Sequence, residues 1–502
     1  MKKLIIFLTV LLVLGTSCED FLAVNEKNPN SASAVPANLI LPAALNSTAS
    51  IFTNPDNFLF IYVWHGCFAI SATYVQPTSL TQYNLLNSSY QDNWRYSYIN
   101  LQNYDYIDKV SSGTTDVYYK AIAKIMKAYV FQNLVDMYGN IPYTKALKTD
   151  EGILKPEYDD QKVIYEDLVL QLDIAMNLIK DAPADATEVG DYDIVYKGDM
   201  KLWWKFANTI KLRILINQSG MSGRNAYITT ALATQPATKD DFLGAGEGAM
   251  LNPGYVKSED KMNPFWANFY KQDDNPATDG FGYWAANQNA CDFLDNNNDP
   301  RKLRLFTANP EGSTTILGNY FGALLLNPGP ATSTIGSGLL KAFDQDAPLM
   351  TDFESLFLQA EAVQRTYITG DAKELYQSAV SQSIISMGGP EGNASAAAAY
   401  LAQDAKQLVN FDIAGDKLKT IISQKWLALI GNSPTTIWTD YRRTGFPDFI
   451  TFSKDPSRKA DIPPVRLLYP ETEISTNNEN VVLQDTPVKI SLNGPKIFWQ
   501  NR

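Results

Sequence analysis

The run TDVYYKAIAKIMKAYVFQNLVDMYGNIPY, residues 115–143, decides the fold class. Val117, Ile122, Ile125, Met126, Tyr129, Leu134 and Met137 recur mostly three and four positions apart, the spacing that puts side chains on one face of an α-helix. Gly139 and Pro142 end the pattern. Glycine takes positive φ at a helix C′ position without a steric penalty, and proline cannot continue the hydrogen-bond ladder. The stretch therefore predicts one long helix over 115–138 that closes into a turn.

Working outward, the same period runs less cleanly over 36–61 and returns over 158–180 and over 199–217, where Leu202, Phe206, Ile210 and Ile214 share one side. In the C-terminal third, Phe353, Leu356, Phe357, Ala360, Val363 and Tyr367 mark a helix, and Leu375, Tyr376, Ala379 and Ser383 the next, with Gly370-Asp371 between them. Further helices are predicted over 397–411 and over 415–430, the latter with Leu418, Ile421, Ile422, Trp426 and Leu429 on one face. Helices of this length paired through short turns predict a mainly α fold of stacked helical hairpins of the tetratricopeptide kind. Residues 62–100 mix aromatics with Ser, Thr and Gln and read as helix ends and long loops. From 218 to 350 Gly, Asn and Pro accumulate, which predicts a loop-rich insertion ahead of helical hairpins over 351–430. After Pro447 the chain reads as extended, with Pro463-Pro464 and Pro470 excluding long helices.

The N-terminus reads as an export signal. Lys2 and Lys3 precede an apolar run over 4–14, and Gly15-Thr16-Ser17 supplies small residues ahead of Cys18. The run is too short to span a bilayer. A cysteine directly after the small residues predicts lipidation at Cys18, with residues 1–17 removed and 18–37 forming a polar tether to a single domain over 38–502. Gly15 stands where a lipobox prefers Leu, a mild departure.

Composition excludes several functions. The chain has 42 basic and 54 acidic residues and a formal charge of −12, with no basic stretch to meet nucleic acid. Its only histidine, His65, lies in the aromatic stretch Tyr62-Val63-Trp64-His65 and reads as a packed core residue. No His/Cys cluster can hold zinc, no histidine base stands beside a conspicuous serine, and no spacing singles out a catalytic carboxylate pair. The chain is therefore read as a non-enzyme without a cofactor. Cys67 and Cys291 are too few for a disulfide scaffold; they either pair or serve as small buried side chains. Asp295, Asn297 and Asp299 alternate like calcium-loop ligands but lack the central Gly and the downstream Glu, so an Asx-rich turn ahead of Pro300 competes with a calcium site. Arg213, Arg442 and Arg443 emerge from apolar or aromatic segments, and a buried guanidinium needs a carboxylate. Glu354, Glu361 and Asp440 are the partners nominated.

At this point the chain resembles the SusD/RagB superfamily of surface lipoproteins from Bacteroidetes-type bacteria, most closely its SusD-like subgroup. The resemblance rests on Cys18-Glu19-Asp20-Phe21-Leu22 with Asn28-Pro29-Asn30, on Leu134-Val135-Asp136-Met137-Tyr138-Gly139-Asn140-Ile141-Pro142-Tyr143, and on Gly198-Asp199 with Lys201-Leu202-Trp203 and Phe206–Arg213. It continues through Asn298-Asp299-Pro300-Arg301, Glu354–Ala362, Gln424-Lys425-Trp426, Trp438 with Tyr441–Pro447, and Arg466-Leu467-Leu468-Tyr469-Pro470 with Glu473 and Asn477. The resemblance implies one mostly α-helical domain with four tetratricopeptide-like helix pairs and a looser part that carries the ligand site. It also implies a lipid-anchored protein at the outer face of the outer membrane. There it would sit as a lid on a SusC-like TonB-dependent transporter, capturing oligosaccharides or, in some members, peptides. A helical-repeat scaffold without a small ligand is the competing function.

Ligand contacts are expected from the irregular regions, where flat rings stand beside neutral hydrogen-bonding groups. Trp64, Tyr74, Trp94, Tyr96, Trp266, Tyr270, Tyr283 and Trp284 are the candidates, with Trp94-Arg95-Tyr96 and Tyr283-Trp284 placed first. The acidic balance argues against an anionic ligand.

Overall fold

In the computed structural model of the chain, residues 35–273, 279–323, 331–481 and 487–500 are described. The predicted signal segment, Cys18 and the tether up to residue 34 lie outside the described residues, and Ala37, placed at the end of the tether, is instead the buried first residue of a helix. No described helix is long and apolar enough to cross a membrane.

The N-terminal half is built on α1 (Ala37–Thr53), α2 (Gln91–Val110), α3 (Val117–Tyr138), α4 (Gln161–Lys180) and α5 (Met200–Asn217), each packed on the next. The C-terminal third adds α6 (Asp352–Gln364), α7 (Ala372–Met387), α8 (Lys417–Leu429) and α9 (Pro434–Thr444). Helix α6 packs on α5, α7 and α8, and α9 returns to α3. This is the mainly α, hairpin-stacked architecture that the apolar spacing predicts.

Local chemistry sets the boundaries. Asp160 caps α4 by accepting from the backbone N–H groups of Lys162 and Val163, and Asp199 caps α5 through Lys201 and Leu202. Such caps satisfy donors that have no partner inside the helix. The cap at Asp160 moves the start of α4 past the predicted residue 158, because Tyr158 and Asp159 pair as a strand with Ile141 and Pro142. Gly139 ends α3 at φ 82°, with its N–H on the Val135 carbonyl.

Three helices depart from the sequence reading. Helix α2 lies partly in the stretch read as loop and runs ten residues beyond it. Its buried face is Asn93, Trp94, Ser97, Asn100, Leu101, Tyr104 and Ile107, correctly spaced but largely polar. Those polar groups are satisfied inside: Asn100 donates to Thr48 Oγ1 at 2.8 Å, and Asn93 donates to the Asn57 carbonyl at 2.9 Å. Helix α9 hides its buried face behind Thr435, Thr436, Thr439, Asp440, Arg442 and Arg443. The helix expected over 397–411 is shorter, Ala394–Leu401.

The core is ionic as well as apolar. Arg213 meets Glu354 at 3.2 Å, and Arg443 grips both Glu361 oxygens at 2.6 Å and Asp440 at 2.5 Å, so these arginines find the nominated carboxylates. Lys425 joins Asp440 at 3.0 Å. Among the described residues Arg442 has no carboxylate in direct contact. It stacks on Trp438 and Trp499 and donates to the Asp136 and Val465 carbonyls, and burial pushes its pKa down to about 9. Cys67 and Cys291 are buried and unpaired.

Between 218 and 350 the described elements are short. Across the fold, the strands β1 (Phe68–Ile70), β2 (Ile141–Pro142), β3 (Tyr158–Asp159), β4 (Ala249–Leu251), β5 (Trp284–Ala286) and β6 (Ala347–Met350) form antiparallel ribbons β1–β5, β2–β3 and β4–β6. The β1–β5 register, Phe68 opposite Ala286 and Ile70 opposite Trp284, places the loop after residue 70 beside the residues just before 284.

Candidate functional site

The β1–β5 ribbon is fully buried and fixes the base of an aromatic surface. Asn287 and Asn319 lock it further by donating to the Phe68 and Ile70 carbonyls. Just past β1, the Ser71 N–H donates to the Tyr283 carbonyl at 2.8 Å. Gln76 accepts from the Gly322 N–H and donates to the Ala323 carbonyl, tying the same loop down at its far end. The loop carries Tyr74, whose ring meets Tyr283 edge-on at 5.5 Å.

Tyr283 ends a short helix, Asp279–Tyr283, that also carries Phe281. Phe281 packs on Tyr270 at 5.3 Å, and Tyr270 stacks on Trp266 at 4.4 Å with the planes 19° apart. Trp266 is aimed by Asn263, whose side-chain oxygen caps the helix Pro264–Ala267 and whose amide donates to the Gln345 carbonyl. Glycines alternate with the rings for a steric reason. A Cβ on Gly280 would lie 2.3 Å from the Asn268 carbonyl oxygen, and one on Gly282 would lie 2.9 Å from the Tyr74 hydroxyl. Only glycine lets this helix approach both neighbours so closely.

Four of the eight nominated rings therefore come together: Tyr74, Trp266, Tyr270 and Tyr283. Tyr74 is exposed, and the other three are half-buried. Tyr96 is exposed on α2 beneath the Arg95 guanidinium and makes no ring contact with the group.

The remaining three need correction. Trp64, Trp94 and Trp284 are 0%, 4% and 1% exposed and belong to the core. Trp94 is enclosed by Tyr98, Tyr138, Tyr158 and Tyr469, and Trp284 by Tyr62, Phe68 and Phe269. Trp64 donates its indole N–H to the Leu80 carbonyl. A ring closed on both faces has none left for a ligand. Of the two pairs placed first, only Tyr96 and Tyr283 keep solvent access.

The three residues weighed between an Asx-rich turn and a calcium site have partners within the fold. Asp299 gives its oxygens to Arg301 at 2.9 and 2.6 Å, Asp295 pairs with Lys302 at 2.5 Å, and the Asn297 amide donates to the Phe293 carbonyl. The segment is a helix end whose carboxylates are already neutralised by cations. Among the described residues no three acidic, His or Cys side chains converge on a metal position.

The polar groups of the aromatic surface escaped the sequence reading. Asp56, in the 3₁₀ turn Pro55–Phe58, directs its carboxylate toward the Asn268 and Trp284 side chains, beside Tyr90 and Tyr283. The residue as a whole is exposed, yet crowding of its carboxyl by the neighbouring side chains raises the pKa, outweighing the lowering by the Asn268 and Trp284 N–H groups. Neither the Asn268 amide N–H nor the Trp284 N–H meets hydrogen-bond geometry toward Asp56, so both are electrostatic neighbours of its carboxylate. Burial, with Asp56 adding to it, pushes the Tyr283 hydroxyl up to about 12.

A cavity of about 490 Å³ shares the helix Pro264–Ala267. None of the nominated aromatics lines it. Lys341, Asp344, Asp346 and Asp352 do, over Phe265 and Phe353. Flat rings open to solvent make the aromatic surface the better candidate for a neutral ligand.

Residues 29–470 match the family model for SusD-like proteins described as starch-binding and associating with the outer membrane. The chain matches no curated protein sequence. Among solved structures, a SusD-like protein from Bacteroides thetaiotaomicron is 22% identical over 93% of this chain and 99% of its own, with a TM-score of 0.73. A SusD homologue from Bacteroides uniformis is 22% identical over 92% and 99%, with a TM-score of 0.72. A structure named chitin-binding protein is 24% identical over 89% and 95%, with a TM-score of 0.70. At these identities the likeness establishes the fold.

Proposed function

We propose, because this chain belongs to the SusD-like family of starch-binding proteins associating with the outer membrane, that it captures oligosaccharides at the bacterial surface and passes them to a SusC-like TonB-dependent transporter. Members of the family are binding proteins, and the chain is a nutrient-binding protein rather than an enzyme. The observation that carries the oligosaccharide reading is the juxtaposition of Tyr74, Trp266, Tyr270 and Tyr283 on one solvent-reached surface with Asn268 and Asp56 beside them. An aromatic face covers the C–H face of a pyranose, while amide and carboxylate groups meet its hydroxyls. One structural neighbour bears the name chitin-binding protein, which makes chito-oligosaccharides sensible probes beside starch fragments.

The test is calorimetry on the soluble chain from residue 19 with malto- and chito-oligosaccharides and a peptide digest. A well-placed aromatic contact is worth about 1–3 kcal/mol, so Trp266→Ala and Tyr283→Ala are each expected to weaken binding about five- to a hundredfold. Oligosaccharide binding that both variants retain at parental strength would remove this surface from the account. Binding of peptides alone would replace the ligand class.

Anchoring through Cys18 and delivery to a transporter belong to the same proposal. Wild-type protein solubilised gently from outer membranes is expected to carry a metabolically incorporated fatty acid and to co-purify with a large β-barrel. Cys18→Ala is expected to take up no label and to leave the membrane fraction. Unlabelled wild-type protein, or wild-type protein recovered without the barrel, would count against anchoring or delivery respectively.

A further inference from the structure

Past α9 the chain returns to the loops that build the aromatic surface. The Thr451 N–H donates to Asn289 Oδ1 at 2.8 Å, and the Thr451 carbonyl accepts from the same side-chain amide at 3.1 Å. Asn289 in turn donates to Asn287, the residue that locks β1. Ser453 is 4% exposed; its N–H donates to the Tyr83 hydroxyl at 2.9 Å and its hydroxyl to the Thr81 carbonyl at 2.6 Å. The Lys454 N–H donates to the Phe321 carbonyl at 2.8 Å, and Asp455 accepts from the Thr81 hydroxyl at 2.7 Å. Residues 451–455 thus tie together segments that are remote from one another in the chain.

The contact with the aromatic surface turns on Gly322, which sits at φ 71°. A Cβ there would overlap the Ser453 hydroxyl and lie 2.8 Å from the Asp455 backbone nitrogen. Glycine alone lets the backbone at 322 press on residues 453–455 in this conformation. The same glycine donates its N–H to Gln76 Oε1 at 2.8 Å, and the Gln76 amide donates to the Ala323 carbonyl at 3.3 Å. Gln76 stands two residues from Tyr74, at the far end of a loop whose near end is held by the Ser71 N–H on the Tyr283 carbonyl. Between these anchors Thr73, Tyr74 and Val75 are exposed. A segment with little buried area takes its order from its anchors.

We propose that residues 451–455 are a strap that sets the position of the Tyr74 ring through Gly322 and Gln76. Ser453 is then a positioning residue for binding, although it is buried and meets no ligand. This rests on the oligosaccharide reading for what the surface binds, and on hydrogen bonds and packing for the hold on the loop.

The test uses the soluble chain from residue 19 with Gly322→Ala, Ser453→Ala and the two together, each also in a Tyr74→Ala background. Hydrogen exchange reports on the loop without any ligand, calorimetry with maltohexaose and chitohexaose reports on binding, and thermal melting controls for folding. Gly322→Ala is expected to speed exchange over residues 71–77 about tenfold or more, with α3 unchanged. It is expected to weaken binding about tenfold where Tyr74 is present and less than about twofold where Tyr74 is absent. Adding Ser453→Ala removes the hydroxyl that the new Cβ meets, so the pair is expected to recover part of both losses. Ser453→Ala alone adds no bulk, and it is expected to shift exchange and binding in the same direction even if Gly322→Ala does not fold. Unchanged exchange over 71–77 in the folded variants would overturn the strap. A loss of binding that is equal with and without Tyr74 would overturn it too, since the effect would not pass through that ring. Binding at parental strength despite faster exchange would remove Ser453 from recognition and leave oligosaccharide capture standing. If neither oligosaccharide binds wild type while exchange responds as expected, the oligosaccharide reading fails and the hold on the loop stands.

Discussion

Arg443→Met is expected to cost about 3–5 kcal/mol of folding stability, read as a lower urea midpoint at unchanged slope. Arg443 is 3% exposed and makes two 2.6 Å bonds to Glu361 and a 2.5 Å contact with Asp440. Burial alone would push the Glu361 pKa up; Arg443, then Arg365 and Lys425, instead hold it well below the usual carboxylate range. Methionine fills the space but supplies no donors, leaving two buried anions to Lys425 and Arg365. Lys425 already serves Asp440, and Arg365 reaches Glu361 at 2.8 Å from a more exposed position. Arg443→Lys should recover only part of the loss, because an ammonium cannot fork across both Glu361 oxygens and still reach Asp440. Wild-type stability in both variants would mean that Lys425 and Arg365 suffice and that the pairing is incidental.

The second large effect is acid lability from His65. Its ring is 1% exposed, and neither nitrogen has a hydrogen-bond partner among the described residues. It packs instead against the rings of Tyr441 and Phe452. Burial, aided by the Arg442 charge, pulls its pKa down from 6.5 to about 3. The unfolded chain therefore binds a proton that the folded chain refuses between those values. The stabilisation is fully present above pH 6.5 and is lost as pH falls, by about 1.4 kcal/mol per unit and about 5 kcal/mol at pH 3. Asp136 works the other way over part of this range. Burial raises its pKa from 3.8 to about 6 despite the Tyr165 hydroxyl, so its folded form gains relative stability on acidification through that window. The wild-type profile is thus a partial cancellation, and the informative measurement is the difference between wild type and His65→Phe, which share Asp136. His65→Phe is expected to be the more acid-resistant by several kcal/mol near pH 4 and similar to wild type at pH 7. Parallel curves down to pH 4 would show that the imidazole already reaches solvent when folded.

The helical scaffold was legible because its long helices bury apolar residues at a regular period. Helix α3 shows this together with the Gly139 stop, and the capping aspartates at 160, 199 and 371 mark further starts. Legibility failed where a helix buries polar groups that find partners inside. Asn93, Ser97 and Asn100 of α2 look like surface residues until Asn57 and Thr48 are placed opposite them, and α9 is masked in the same way by its threonines and arginines.

Within the candidate site, residue type pointed to the aromatics but could not separate a ring with one free face from a ring with none. That difference depends on long-range packing, as when Tyr469 closes over Trp94. The alternation Gly280-Phe281-Gly282-Tyr283 was the available signal for a close-packed aromatic turn. Asp56 carried no signal, because its neighbours Asn268 and Trp284 lie more than two hundred positions away in the chain.

That separation has a meaning in time. Strand β1 cannot find its partner until β5 exists, and β5 is made roughly two hundred residues later. At about 5–20 residues per second of synthesis, the wait is on the order of ten to forty seconds. Throughout it the first strand and its tyrosine loop stand without the second half of the recognition surface. A chain cut short before β5 can carry its early helices and still lack Tyr283 and the partner of β1. The aromatic surface therefore cannot be complete before residue 286 is made, after α1–α5 and ahead of α6–α9.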